Sequence, residues 1–306
     1  ERRVRGRGQA RRRAAAGRGG GLGQGPGAAV RGGVVARRAA IAAALGGAWG
    51  LFESQWVALE RLEVPVERLP ASLDGFSILH LSDFHLGTVS LNGRAVEKAV
   101  RFAERSEHDL VAVTGDLLSA SRGEPALQRA LVRLHARHGV YAVLGNHDIA
   151  VTRDPFSGAR ELDDLTAAGA VLLRDQAMSL QVDGVRVQVV GCEPRAFMER
   201  RARPWELVDP AAELRILLCH FPDVVDRIPP GSFDLVLAGH LHGGQICLPL
   251  PGGKLRLSNF GPPYPEGVFR LDGTTLVVSR GIGTTFVPFR FFSRPQAAVL
   301  VLRAGR

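Results

Sequence analysis

Five short apolar runs punctuate the chain, and each stops at Gly, Asp or His: Phe76–Leu81, Leu110–Thr114, Val140–Leu144, Ile216–Cys219 and Phe233–Ala238. Runs of this length ending in such residues predict buried strands that give way to loops. Leu62, Val64 and Val66 alternate with Arg61, Glu63 and Pro65, the pattern of an edge strand entering the fold. Residues 92–106 and 124–138 carry Ala, Val and Leu at helical spacing, the second closed by Gly139. Asp183-Gly184 and Asp272-Gly273 sit between alternating stretches and predict hairpin turns. Parallel βα units early and hairpins late predict an α/β fold of two sheets packed face to face, with helices outside. No internal repeat and no second folded domain is visible.

The polar residues that close these runs form an ordered set: Asp83-Phe-His85, Gly115-Asp116, Gly145-Asn146-His147-Asp148, His220, and Gly239-His240-Leu-His242. Open α/β sheets bind ligands at the carboxyl ends of their strands, so residues distant in sequence can converge there. Asp, His and Asn without a thiol suit metals that prefer oxygen and nitrogen. In extended chain, residues two apart point the same way, so Asp83 and His85 can face one ion and His240 and His242 one pocket. A carboxylate at Asp116 can bridge two cations and offset their repulsion at the ~3.5–4 Å of two-metal sites. Asn146 offers a neutral carbonyl oxygen. His147 suits a general acid or a phosphoryl contact, with Asp148 holding its ring. A lone Asp-x-His or Gly-Asp is a common turn, whereas Gly-Asn-His-Asp directly after an apolar strand is specific.

The ordered set resembles the calcineurin-like metallophosphoesterase superfamily, in its Asp-x-His, Gly-Asp, Gly-Asn-His-Asp/Glu, lone His and Gly-His-x-His elements, over about residues 60–302. The resemblance implies a four-layer α/β/β/α sandwich holding two divalent metal ions. Asp83, His85 and His242 would hold one and Asn146, His220 and His240 the other, with Asp116 between them. It further implies that His147 contacts the scissile phosphate, oriented by Asp148, while a water activated between the cations attacks phosphorus. Manganese is the metal it suggests, with iron or zinc as alternatives. Gly115-Asp116 runs into Leu117-Leu-Ser-Ala and the third motif ends in Asp148, which departs from protein Ser/Thr phosphatases and argues against a phosphoprotein substrate. The surrounding residues, 79–87, 239–245 and 279–283 with Arg294-Pro295, look like a bacterial membrane-associated branch of phosphodiesterases. Relatives of that branch cleave UDP-2,3-diacylglucosamine in lipid A synthesis. The implied substrate is a phosphodiester or pyrophosphate, lipid- or envelope-linked; UDP-2,3-diacylglucosamine hydrolysis is the enzymatic alternative and a tethered, metal-bound binding module the other.

Charge changes the picture only at the amino end. The chain of 306 residues has a net charge of +9, but residues 1–40 hold eleven arginines against one glutamate, a balance of +10. The rest is nearly neutral at −1, so no basic nucleic-acid face is expected on the domain. Residues 1–36 read as a disordered Arg/Gly/Ala-rich tail without the aromatics that stack on bases. Arg37-Arg38 precede fourteen uncharged residues, Ala39 to Phe52, so 37–59 reads as a twin-arginine-like signal or a retained membrane anchor. The Arg-rich side would stay in the cytoplasm and residues 60–306, the catalytic domain, would face outward from a bacterial inner membrane. The cytoplasmic face is the alternative.

Cys192, Cys219 and Cys247 form no even-numbered framework, and Cys219 reads as packing. Residues 195–205 are expected to form a flap over the site. Phe286, Phe289, Phe291 and Phe292, near Arg290 and Arg294, are read mainly as core, with an acyl chain or a membrane surface as the other role.

Overall fold

The computed structural model describes residues 26–158, 162, 165–257 and 263–305. The chain divides into two units, residues 1–45 and 46–306. The helix α1 (Pro26–Glu53) begins eleven residues ahead of the expected anchor boundary. Residues 26–36 therefore belong to a helix rather than to a tail, and the expected disorder of residues 1–25 lies outside the described residues. The stretch Val34–Glu53, 20 residues long, is long and apolar enough to cross a membrane.

Residues 46–306 build two six-stranded sheets and a small hairpin. The strands are β1 (Ala58–Val66), β2 (Ser77–Leu81), β3 (Leu110–Thr114), β4 (Val140–Val143), β5 (Val171–Leu172), β6 (Gln176–Val182), β7 (Val185–Gly191), β8 (Leu214–Leu218), β9 (Leu235–Ala238), β10 (Cys247–Leu250), β11 (Gly253–Arg256), β12 (Gly267–Leu271), β13 (Thr274–Val278) and β14 (Gln296–Ala304). The first sheet runs β1-β14-β2-β3-β4-β5, the second β12-β13-β9-β8-β7-β6, and β10-β11 is the hairpin. All five strands expected from the apolar runs form, and those strands are parallel to one another within each sheet. Pro65 is tolerated in β1 because that strand sits at an edge and pairs only with β14. Both Asp-Gly pairs make tight turns, with φ of 49° at Asp183 and 45° at Asp272, each followed by a left-handed glycine.

Side chains alternate across each strand and sort themselves into three apolar layers. Ile78, Leu110, Ala112 and Val143 face Val187, Val189, Ile216 and Leu237 in the core between the sheets. Leu79, Val111 and Ala142 face the other way and are covered by Ala95, Val96, Ala99 and Val100 of α2 (Asn92–Ala103) and by Leu127 and Leu131 of α3 (Glu124–Leu131). The outer face of the second sheet is covered by the five-residue α4 (Pro194–Met198) and short 3₁₀ turns carrying Phe197, Phe221, Val224 and Ile228. The four layers are thus present, with the fourth much thinner than the second. The second helix stops at Leu131 rather than His138, because Arg137 and His138 donate their backbone N–H to the carbonyls of His108 and Asp109.

Candidate metal centre

Every expected ligand follows the carboxyl end of a parallel strand at the seam between the sheets. Asp83 and His85 follow β2, Asp116 follows β3, Asn146 to Asp148 follow β4, His220 follows β8, and His240 and His242 follow β9. Their convergence does not come from period-two alternation. Asp83, His85, Asp116, His240 and His242 take φ of 55°, 45°, 54°, 76° and 51°, left-handed conformations that cost free energy in non-glycine residues. Each turns the chain sharply; Asp83 and His85 meet in one cluster, as expected, whereas His240 and His242 point into different ones. Gly145 and Gly239 make the approach possible, since a Cβ on either would overlap the carboxylate of Asp116 or of Asp83.

Two clusters result, Asp83 with His85 and His242, and Asp116 with His220 and His240, each with ligand atoms within 4.8 Å of one another. Asp116 Oδ2 belongs to both surroundings, 3.4 Å from His85 Nε2 and 3.2 Å from His220 Nε2. Its Oδ1 is held by the backbone N–H of His147 at 2.9 Å, which fixes the carboxylate plane. The sheets are tied together here: His220 Nδ1 meets the carbonyl of Thr114 at 2.8 Å, and the backbone N–H of His240 donates to Asp83 Oδ1 at 3.1 Å. A carbonyl can only accept, so Nδ1 of His220 carries a hydrogen and Nε2 is the nitrogen turned toward the centre. His85 Nδ1 is held by Ser119 Oγ at 2.9 Å, which likewise turns Nε2 inward.

Burial dominates the electrostatics. It pushes His85 and His240 down to about 3 and His242 well below its ordinary value, which keeps these imidazoles neutral and able to coordinate. Burial also pushes Asp83 up to about 6, against the pull of His220. On His220 burial opposes a charge, but Asp116 and Asp83 outweigh it and push the ring up to about 10. These carboxylates call for positive charge in their midst, which a proton or a metal cation supplies. Asn146 Oδ1 is buried with no hydrogen-bond partner in the protein, an acceptor of the kind a cation satisfies. The donor set therefore suits divalent cations: neutral imidazoles, buried carboxylates and an unpartnered amide oxygen lie among the residues of the centre.

Asp148 departs from its expected role. Its carboxylate does not touch the His147 ring; it accepts the backbone N–H groups of Leu117, Leu118 and Gly145 at 3.1, 2.8 and 2.9 Å. It splices the loops after β3 and β4 together, and it does so from a fully buried position. The His147 ring is held instead by Ser157 Oγ at Nδ1, 2.9 Å, and by Thr152 Oγ1 at Nε2, 3.1 Å. Ser119, Thr152 and Ser157 carried no signal in the sequence beyond following a motif within a dozen residues.

Two other expectations resolve. The segment 195–205 walls the site rather than flapping over it: Phe197 is buried and stacks 4.8 Å from Phe221, which lies 4.8 Å from the His240 ring. Arg290, near phenylalanines read mainly as core, is wholly buried and donates to the carbonyls of Gly283, Gly281, Arg280 and Ser293. Phe286 and Phe292 are exposed rather than packed in the core. Cys192, Cys219 and Cys247 are buried free thiols, and Cys219 packs in the apolar layer outside the second sheet.

A family model, calcineurin-like phosphoesterase, matches residues 76–244, which contain every one of these ligands. The chain belongs to that family, and it is a metal-dependent hydrolase of phosphoesters. It is 30% identical over 270 residues to an uncharacterised metallophosphoesterase of Aquifex aeolicus, covering 85% of this chain and 97% of that protein. It is 27% identical over 239 residues to phosphodiesterase YaeI of Escherichia coli, covering 74% of this chain and 82% of that protein. A transmembrane protein with metallophosphoesterase domain from Bos taurus is 28% identical over 275 residues, covering 81% of this chain and 57% of that protein.

Proposed function

We propose that the chain is a phosphodiesterase or pyrophosphatase that works at a membrane with two divalent cations, manganese before iron or zinc. The observation that carries the reading is Asp116 Oδ2 lying within 3.4 Å of His85 Nε2 and 3.2 Å of His220 Nε2, supported by the buried, unpartnered oxygen of Asn146. Asp83, His85 and His242 would hold one cation, Asn146, His220 and His240 the other, and Asp116 would join them. Bound there, the cations would polarise the phosphoryl oxygens and acidify a water to near neutrality. The chain's own part is to orient and protonate. His147, 4.0 Å from Asp116 Oδ2, is placed to contact a phosphoryl oxygen or to give a proton to the leaving oxygen. Thr152 and Ser157 fix its ring, and Asp148 holds the loop that carries it. Phosphodiesterase YaeI, named for such an activity, supports a diester substrate.

The helix stretch Val34–Glu53 and the Bos taurus relative support attachment to a membrane. Arginines ahead of that stretch favour an outward-facing domain. A reporter fused after Arg306 tests the side: cytoplasmic exposure would reverse the orientation and favour UDP-2,3-diacylglucosamine cleavage, the second reading, whose substrate lies on that side. For the reaction itself, the full chain would be stripped of metal, refilled with manganese and given bis-p-nitrophenyl phosphate beside the monoester. Manganese-dependent diester cleavage that is lost in Asp116→Asn supports the reading. Inertness toward both esters with two metals bound would overturn the phosphodiesterase reading and turn the test to pyrophosphate cleavage of UDP-2,3-diacylglucosamine, whose absence as well would leave only a metal-bound binding module.

A further inference from the structure

A cavity of about 420 Å³ opens beside the metal centre, walled by Val89, Phe156, Phe286, Val287 and Pro288. It lies a few residues from two groups of the centre. Thr88, at its floor, donates to the backbone carbonyl of His85 at 3.2 Å, and Asp154 receives its position from Thr152, which touches His147. Asp154 is the one carboxylate among the lining residues, and its charge is turned into the walls. Its oxygens accept the Phe156 N–H at 2.9 Å, the Thr285 hydroxyl at 2.9 Å and the Phe286 N–H at 3.0 Å, leaving it buried. What faces the cavity is apolar, and its size suits a ligand site.

The loop that forms one wall is bound to the end of α1. The backbone N–H of Arg290 donates to the carbonyl of Gly50 at 3.1 Å, and that of Ser293 to the buried carboxylate of Glu53 at 2.8 Å. Gly50 is a glycine because Phe289 and Phe291 lie against it; a Cβ there would stand 2.7 Å from the Phe291 ring. On the same end of α1 and just past it, Trp49, Phe52 and Trp56 form an exposed row with ring centroids 5.6 and 5.7 Å apart. Phe286 and Phe292 on the loop are exposed as well. Tryptophan and its kin at the end of a candidate span mark the level of the lipid headgroups. An apolar cavity with one wall on the loop bound to that helix end, and with Thr88 bonded to His85 of the phosphoester-cleaving centre, has one natural occupant.

We propose that this cavity takes the aliphatic chain of a membrane lipid whose phosphoester lies at the metal centre. The proposal rests on the phosphodiesterase reading above and narrows it to amphiphilic substrates. Chain length should then set the specificity, while the headgroup contacts stay with the centre. Burying one methylene multiplies affinity up to about fourfold, so chain length is a direct readout.

The test uses the full chain in bilayer nanodiscs with manganese and a series of p-nitrophenyl alkyl phosphodiesters bearing methyl, butyl and octyl groups. For the unmodified chain kcat/KM is expected to rise on the order of 10- to 60-fold from methyl to butyl and further to octyl. In the triple variant Val89→Ser, Phe156→Ser, Val287→Ser the methyl ester should be cleaved as before, with the rise cut below about threefold. A rise that survives in the variant would reflect partition into the bilayer and overturn the proposal, as would a flat series in the unmodified chain. If no diester is cleaved at all, the phosphodiesterase reading falls. Calorimetry with methyl, butyl and octyl phosphate then decides the cavity separately: affinity that grows with chain length, and only with the walls intact, upholds it, and equal affinities sink it.

Discussion

The middles of the strands and their carboxyl ends obey opposite rules. In β3, Leu110 to Thr114 are all buried in regular extended chain, and their neighbours are apolar side chains of the two flanking layers. Two residues further on, Asp116 is equally buried but left-handed, charged, and surrounded by imidazoles. The same change occurs between β2 and Asp83 and between β9 and His240. Stability resides in the first kind of position and is drawn upon at the second, where left-handed backbone and buried carboxylates each cost on the order of 1–3 kcal/mol. The sheets carry that cost because their interiors are continuous.

The sharpest way to break this contrast is Asp116→Asn, which keeps the shape and removes the shared charge. Turnover of bis-p-nitrophenyl phosphate should fall at least ~10³-fold, about 4 kcal/mol of barrier, while the thermal midpoint stays level or rises as a buried charge is lost. An unchanged rate would place the reacting centre elsewhere. The mirror experiment is Ile216→Ala in the core between the sheets, expected to cost about 2–5 kcal/mol in urea unfolding with the per-molecule rate preserved under native conditions. Equal losses of activity and stability would mean that the two regions are not separable.

Asp148→Asn sharpens the boundary, because that residue is buried at the site but bonded only to backbone. The amide's oxygen can keep some of the three N–H donors, so about 1–3 kcal/mol of stability should go, read by urea unfolding. Activity should fall less than for Asp116→Asn; an equal fall with no stability change would restore Asp148 to the chemistry. Smallest should be Ser119→Ala, which frees the His85 ring: metal affinity is expected to weaken roughly 10- to 100-fold, measured by competition with a chelator. Unaltered affinity would show that the ring is held without the hydroxyl.

The legible part of this molecule was the part that repeats locally. Apolar runs of strand length, Asp-Gly turns and the order of Asp, His and Asn after each run were enough to anticipate both sheets and the Asp and His groups that gather at the strand ends. What went astray did so for tertiary reasons. The helical pattern continued to His138, but Arg137 and His138 found backbone partners in the 108–109 loop and left the helix. Asp148 stands next to His147 in sequence, yet its carboxylate meets the backbone N–H groups of Leu117 and Leu118, from the loop after β3, and of Gly145. Arg290 sits among aromatics in the chain, and nothing local announces its burial, which four carbonyls from a folded-back loop made tolerable.

Composition and order along the chain determined which residues would be available at the strand ends, because hydrophobic periodicity acts over a few residues and is written in them. Which of those residues share an atom of space was decided only when two sheets met. Asp116 came within 3.4 Å of His85 and 3.2 Å of His220, Thr114 met the Nδ1 of His220, and the loop carrying Arg290 was bound to Gly50. Those outcomes depend on side chains from strands far apart in sequence meeting within ~3 Å, the range over which hydrogen bonds act, and no local pattern encodes a distance of that kind.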